Sequence, residues 1–85
     1  MPRYLVERAL GPADDATLRR AADEATRVRE ERFPGIGWER SYVVRTPEGL
    51  RAYCVYDAPD ADAVRAHSRE SGLPADLIRE IHAEL

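Results

Sequence analysis

Hydrophobic and polar positions divide this chain into six segments. In Arg3–Leu10, Tyr4, Leu5 and Val6 begin an imperfect alternation of the strand type. Gly11-Pro12 ends it. Asp14 or Asp15 then stands before the alanine-rich run "ATLRRAADEATRVREERF", where a carboxylate accepts hydrogen bonds from the free N–H groups of a helix start. Within that run Leu18, Ala21, Ala25 and Val28 recur at steps of three and four, which makes one narrow apolar stripe. The small residues in the stripe predict close packing on a sheet. Pro34-Gly35 stops the helix.

The next two runs are rich in aromatic and β-branched residues. They are "IGWERSYVVR", Ile36 to Arg45, and "LRAYCVYD", Leu50 to Asp57. Pro47 and Gly49 between them fit a tight turn, so the pair reads as a hairpin. Asp60 caps a second helix, "DADAVRAHSRES". Gly72 suits the left-handed position after it, and Pro74 prevents continuation. The last run, Asp76 to Leu85, alternates as a half-buried strand, with a short helix as the alternative. Leu77, Ile81, Ala83 and Leu85 fall on one side of it, and Ile78, Glu80, His82 and Glu84 on the side expected to face outward.

Strand, helix, strand, strand, helix, strand is the ferredoxin-like βαββαβ plan, an α+β class. Right-handed crossovers place both helices on one face of a four-stranded antiparallel sheet. No linker divides the chain, so residues 1–85 are expected to form a single domain. A chain of 85 residues buries a limited core, and one cysteine rules out an internal disulfide. The sheet face without helices would stay uncovered, and apolar area left there points to an interaction surface. Two sheets stacked on those faces would give a homodimer of the α+β barrel type.

A turn on Pro47-Glu48 sets the hairpin register. It pairs Val43 with Ala52, Ser41 with Cys54 and Glu39 with Tyr56 on one face. The other face takes Val44 with Arg51, Tyr42 with Tyr53, Arg40 with Val55 and Trp38 with Asp57. Cys54 then sits in a polar cluster, while Trp38, Tyr42 and Tyr53 form an aromatic patch on the opposite side. A bulge would exchange the faces of one strand.

Charge narrows the function classes. Thirteen basic and 16 acidic residues give a net charge of −3. No basic patch of the kind that tracks nucleic acid is present, so no nucleic-acid partner is expected. No apolar run nears the roughly 18 residues of a membrane span, so no membrane partner is expected either. The N-terminal stretch lacks the apolar core of a signal peptide. Together with a lone free thiol, this predicts a cytoplasmic protein.

Six residues carry candidate chemistry. Cys54 is a nucleophile or metal ligand if its thiol is activated, and otherwise a small core residue. His67, one helical turn after Val64, is an acid–base group, a ligand, or a histidine bonded to a carbonyl. Glu7 puts a charge in a central strand, which is costly unless paired or solvated. It is a candidate acid, base or ligand, or one half of a structural ion pair. Tyr53 and Tyr56 flank Cys54 and would orient a small substrate. His82, alternating with Glu80 and Glu84, offers metal donors at the end of the chain. No CxxC, HExxH, phosphate-loop or GxSxG pattern occurs.

The stretches "YLVER", "WERSYV", "YCVYDAP" and "RAHSRESGLPAD" resemble a bacterial family known as domain of unknown function 4242. The resemblance runs nearly end to end. It implies a ferredoxin-like fold, a dimer of the α+β barrel type and a link to nickel, because a streptomycete member is described as nickel-binding. Nickel favours imidazole among nitrogen donors. With two histidines in this chain, such a site would recruit carboxylates, Cys54 or residues of a second copy. The expectation is therefore a homodimeric domain that binds a small ligand or a divalent transition metal, nickel first, near Cys54 and His67. The alternative is a small enzyme using His67 or Glu7 as its acid–base group.

Overall fold

The computed structural model describes residues 1–85. Six elements follow in chain order: β1 (Arg3–Gly11), α1 (Asp15–Arg32), β2 (Gly37–Thr46), β3 (Gly49–Asp57), α2 (Ala61–Glu70) and β4 (Leu77–Glu80). The strands form one sheet in the order β2-β3-β1-β4, with every neighbouring pair antiparallel. This is the ferredoxin-like arrangement, with β1 and β3 in the centre.

Local chemistry explains the helix limits. The Asp14 side chain accepts from the Thr17 N–H at 2.8 Å, and Asp60 accepts from the Ala63 N–H at 2.8 Å. Each satisfies one N–H that a helix start leaves free. At the end of α2, the Leu73 N–H reaches the Ser68 carbonyl at 3.0 Å and the Gly72 N–H reaches Arg69 at 3.2 Å. That pair of bonds is a Schellman motif, and it requires the left-handed φ of 72° that Gly72 adopts. The motif turns Leu73 back toward the sheet, where it borders the cavity described below.

Strand parity sorts the sheet into two faces. Tyr4, Val6 and Arg8 of β1 and Ala52, Cys54 and Tyr56 of β3 point toward the helices, and all six are buried. Val64 of α2, Ala58 just after β3 and Ile36 just before β2 pack with them. Leu5, Glu7, Tyr53, Val55, Tyr42 and Val44 lie on the opposite face.

Three expectations change. First, the hairpin register holds from Thr46–Gly49 to Arg40–Val55, but a bulge follows, and Trp38 rather than Glu39 pairs with Tyr56. The extra residue reverses side-chain parity beyond it. Trp38 thus joins Ser41 and Cys54 on the helix-facing side, and Glu39 bonds Arg3 at 2.5 Å. Second, β4 ends at Glu80, and its Ile78 packs on the core opposite Val6. The face shared by Ile78 and Glu80 is therefore the helix-facing one, not the outer one. The only strand-like bond beyond Glu80 is Ile81 N–H to the Arg3 carbonyl, at 2.8 Å. Third, α1 does not pack tightly on the sheet. Ala21 and Ala25 are too short to fill the gap, and a cavity lies between α1 and strands β2 and β3.

Candidate ligand-binding site

The cavity has a volume of about 220 Å³. Its helix wall is the small-residue side of α1, including Leu18, Ala21 and Ala25. Its sheet wall is Ala52, Cys54 and Tyr56 of β3 with Ser41 and Val43 of β2. Trp38 and Val43 stand at the open edge, 52% and 47% exposed. The Trp38 indole N–H donates to Ser41 Oγ at 3.0 Å, which fixes the ring beside the opening.

The inner end is polar. Arg8 is 1% exposed and comes from the parity of β1 that otherwise carries Tyr4 and Val6. Its Nη1 donates to Ser68 Oγ at 2.9 Å and to the Pro74 carbonyl at 2.7 Å. Its Nη2 donates to the Tyr56 hydroxyl at 3.2 Å, and its Nε is buried without a partner. These bonds tie β1 to β3, to α2 and to the segment before β4. No carboxylate pairs with Arg8; the ion pairs of this chain all lie elsewhere.

His67 is also 1% exposed. Its Nε2 lies 3.0 Å from the Ala25 carbonyl of α1, so it donates there. Its Nδ1 has no partner. The ring meets Phe33 and Tyr56 edge to face, with centroids 5.7 Å apart in each case. Burial holds the imidazole below its ordinary range; the Ala25 bond opposes this, and the charges of Arg8 and Arg29 reinforce it. His67 is thus a neutral imidazole at pH 7. Burial pushes the Tyr56 phenol up, against the pull of Arg8, so it keeps its proton. A neutral Tyr56 cannot serve as counter-ion to Arg8.

The six residues singled out from the sequence divide between two faces and the chain end. Cys54, Tyr56 and His67 meet at the cavity. Glu7 and Tyr53 lie on the opposite face, where Tyr53 donates to Glu7 at 3.2 Å and Arg51 pairs with Glu7 at 3.2 Å. His82 is exposed beyond β4. Glu7 and His67 therefore do not act on one bound molecule within one chain. Arg8 and Arg29 are the site residues that sequence reasoning missed. The signal for Arg8 is its spacing: it shares the inward parity of Tyr4 and Val6, whereas Glu7 falls on the other parity.

A small ferredoxin-like α+β domain with a partly apolar cavity under its first helix is the class these features define. The family model of the SCO4226-like nickel responsive proteins matches residues 4–81, and the chain belongs to that family. The crystal structure of SCO4226 from Streptomyces coelicolor A3(2) superposes with a TM-score of 0.79 at 20% identity, covering 98% of this chain and 99% of that one. This likeness shows the shared fold. No curated protein matches the sequence.

A nickel centre needs several N, O or S donors converging on one point. No group of three or more His, Cys, Asp or Glu side chains converges in this chain. Around the cavity, Cys54 and His67 are joined by two arginines and no carboxylate. Those cations repel a metal ion, so the residues of a single chain do not fit a nickel centre there.

Proposed function

We propose that this protein is a small-ligand-binding domain whose site is the cavity between α1 and the β2–β3 hairpin. The observation that carries the reading is the pairing of an apolar enclosure with a few fixed polar groups, Arg8, Tyr56 and His67, at one end. Binding sites for small molecules have this composition. Trp38, the sole tryptophan, stands at the opening and reports occupancy. A fragment screen read by Trp38 fluorescence and thermal shift tests the reading. Hits lost in Ala25→Leu, which fills the cavity from α1, support it. A screen in which no fragment shifts either signal removes it.

The exposed Tyr42, Val44 and Leu77 on the helix-free face support a homodimer through that face. Sedimentation at micromolar concentration tests the dimer, and a monomer there refutes it. The family's description favours a second reading, a nickel response. It calls for donors from a second copy, since one chain brings no three donors together. Elemental analysis of tag-free protein after nickel loading and dialysis checks it, and absence of retained nickel refutes it.

A further inference from the structure

Arg8 poses a problem in charge. A guanidinium taken out of water without an anion costs several kcal/mol. Here it is 1% exposed, its hydrogen-bond partners are one carbonyl and two hydroxyls, and its Cζ lies 5.9 Å from the centroid of the Tyr56 ring; all of these are neutral. A guanidinium carries five N–H donors. Three are used, leaving the Nε–H and one Nη2–H without a protein acceptor. Tyr56 accepts from Arg8 and retains its own O–H to donate. Arg29 of α1 borders the same cavity and has no ion-pair partner either. The chain is acidic as a whole, yet the cavity lining holds these two arginines and no aspartate or glutamate. In a domain with 16 acidic residues, that segregation marks the sign of charge the cavity accepts.

We infer that the cavity binds the carboxylate of a small, largely apolar organic acid, with Arg8 as the buried counter-charge and Arg29 as the second cation. The inference rests on the small-ligand reading above and specifies its chemistry. A planar carboxylate matches the two-donor edge of a guanidinium, and such charge-assisted bonds are about twice as strong as neutral ones. The remaining wall, from Leu18, Ala25 and Val43 to Trp38, suits an apolar body. Bonds from Arg8 to Ser68, Pro74 and Tyr56 also hold the fold together, so the test must separate charge recognition from that structural role.

Benzoate and its neutral isostere benzamide make that separation. Each is titrated against the full chain by Trp38 fluorescence and by calorimetry, with inorganic phosphate and nickel chloride in parallel. Expected are saturable benzoate binding, benzamide at least tenfold weaker, and a rise in melting temperature with benzoate concentration. Arg29→Gln is expected to weaken benzoate at least tenfold and to leave benzamide unchanged. Arg8→Met is expected to abolish the preference for benzoate. Should that variant not fold, Arg29→Gln and the benzoate–benzamide pair still decide the matter. Equal binding of benzoate and benzamide overturns the anion assignment and leaves the small-ligand reading standing. Phosphate binding more tightly than benzoate overturns the carboxylate assignment, as does nickel competing with benzoate for the cavity. No binding by any fragment overturns both readings.

Discussion

Replacing Gly49 with alanine tests how the β2–β3 hairpin is closed against β1. Gly49 has a φ of 118°, and a Cβ there would lie 2.7 Å from the backbone carbonyl carbon of Gly11 and 2.8 Å from its oxygen. Two costs add. Holding an L-residue at positive φ costs about 1–2 kcal/mol. A clash with backbone cannot be relieved by rotating a side chain, so the end of β1 must shift from β3, and overpacking of this kind costs about 1–3 kcal/mol. Alanine also restricts the unfolded chain, which offsets about 0.4–1 kcal/mol. The sum is about 3 kcal/mol of lost stability, roughly 12–24 °C in melting temperature for a domain of this size. Gly72→Ala is the internal control. Its φ is 72°, but nothing lies within 4 Å of its Cβ position, so it carries the conformational cost without the clash. That variant should lose about 1 kcal/mol. Urea unfolding of both, followed by circular dichroism, gives the comparison. If Gly49→Ala loses no more than Gly72→Ala, the close approach of Gly11 and Gly49 does not hold the hairpin in place, and the reasoning fails.

Two further predictions concern buried groups at the cavity. The folded protein holds His67 below its unfolded range, so the unfolded chain binds the extra proton first. Stability is then complete above the unfolded value near 6.5, and is lost as pH falls from there through the lower folded value, with a slope of at most about 1.4 kcal/mol per pH unit from this one group. Urea midpoints of wild type and His67→Gln between pH 7.5 and 4.5 measure it, and parallel pH profiles for the two would refute it. Cys54 is free and buried, so N-ethylmaleimide should modify the native protein on the order of a hundredfold more slowly than the urea-unfolded chain. Rates within tenfold of each other would refute this, and would mean that the reagent reaches Cys54 in the folded state, through the cavity or by opening of the core.

Legibility of the sequence follows the range of the interactions involved. Asp14, Asp60 and Gly72 act through bonds to residues within a few positions, and their roles at helix ends were readable directly. The pairing of Ser41 with Cys54 was equally readable, because a two-residue turn fixes register for the residues that follow it. Trp38 was misplaced because a bulge costs one residue of register and nothing in "GWERS" marks it. The alanines of α1 predict a close-packing surface, and a cavity lies there instead. Whether small residues give contact or a gap depends on how far the helix stands from the sheet, and that distance is not written in α1.

By itself, then, the sequence determined the order of strands and helices, with a helix still open for the last run, and the cross-strand pairing near the hairpin turn, because periodicity, caps and turn residues are local properties of the chain; which face of the central strands turns inward came from the packed fold. Tertiary structure decided the site. It buried Arg8 among neutral partners from β3, α2 and the segment before β4, and it turned Trp38 to the cavity. It also sent Glu7 and Tyr53 to the far face, away from His67. Those outcomes depend on residues up to 66 positions apart meeting in space. The energy of a buried charge depends on what surrounds it, and only the packed fold supplies those surroundings.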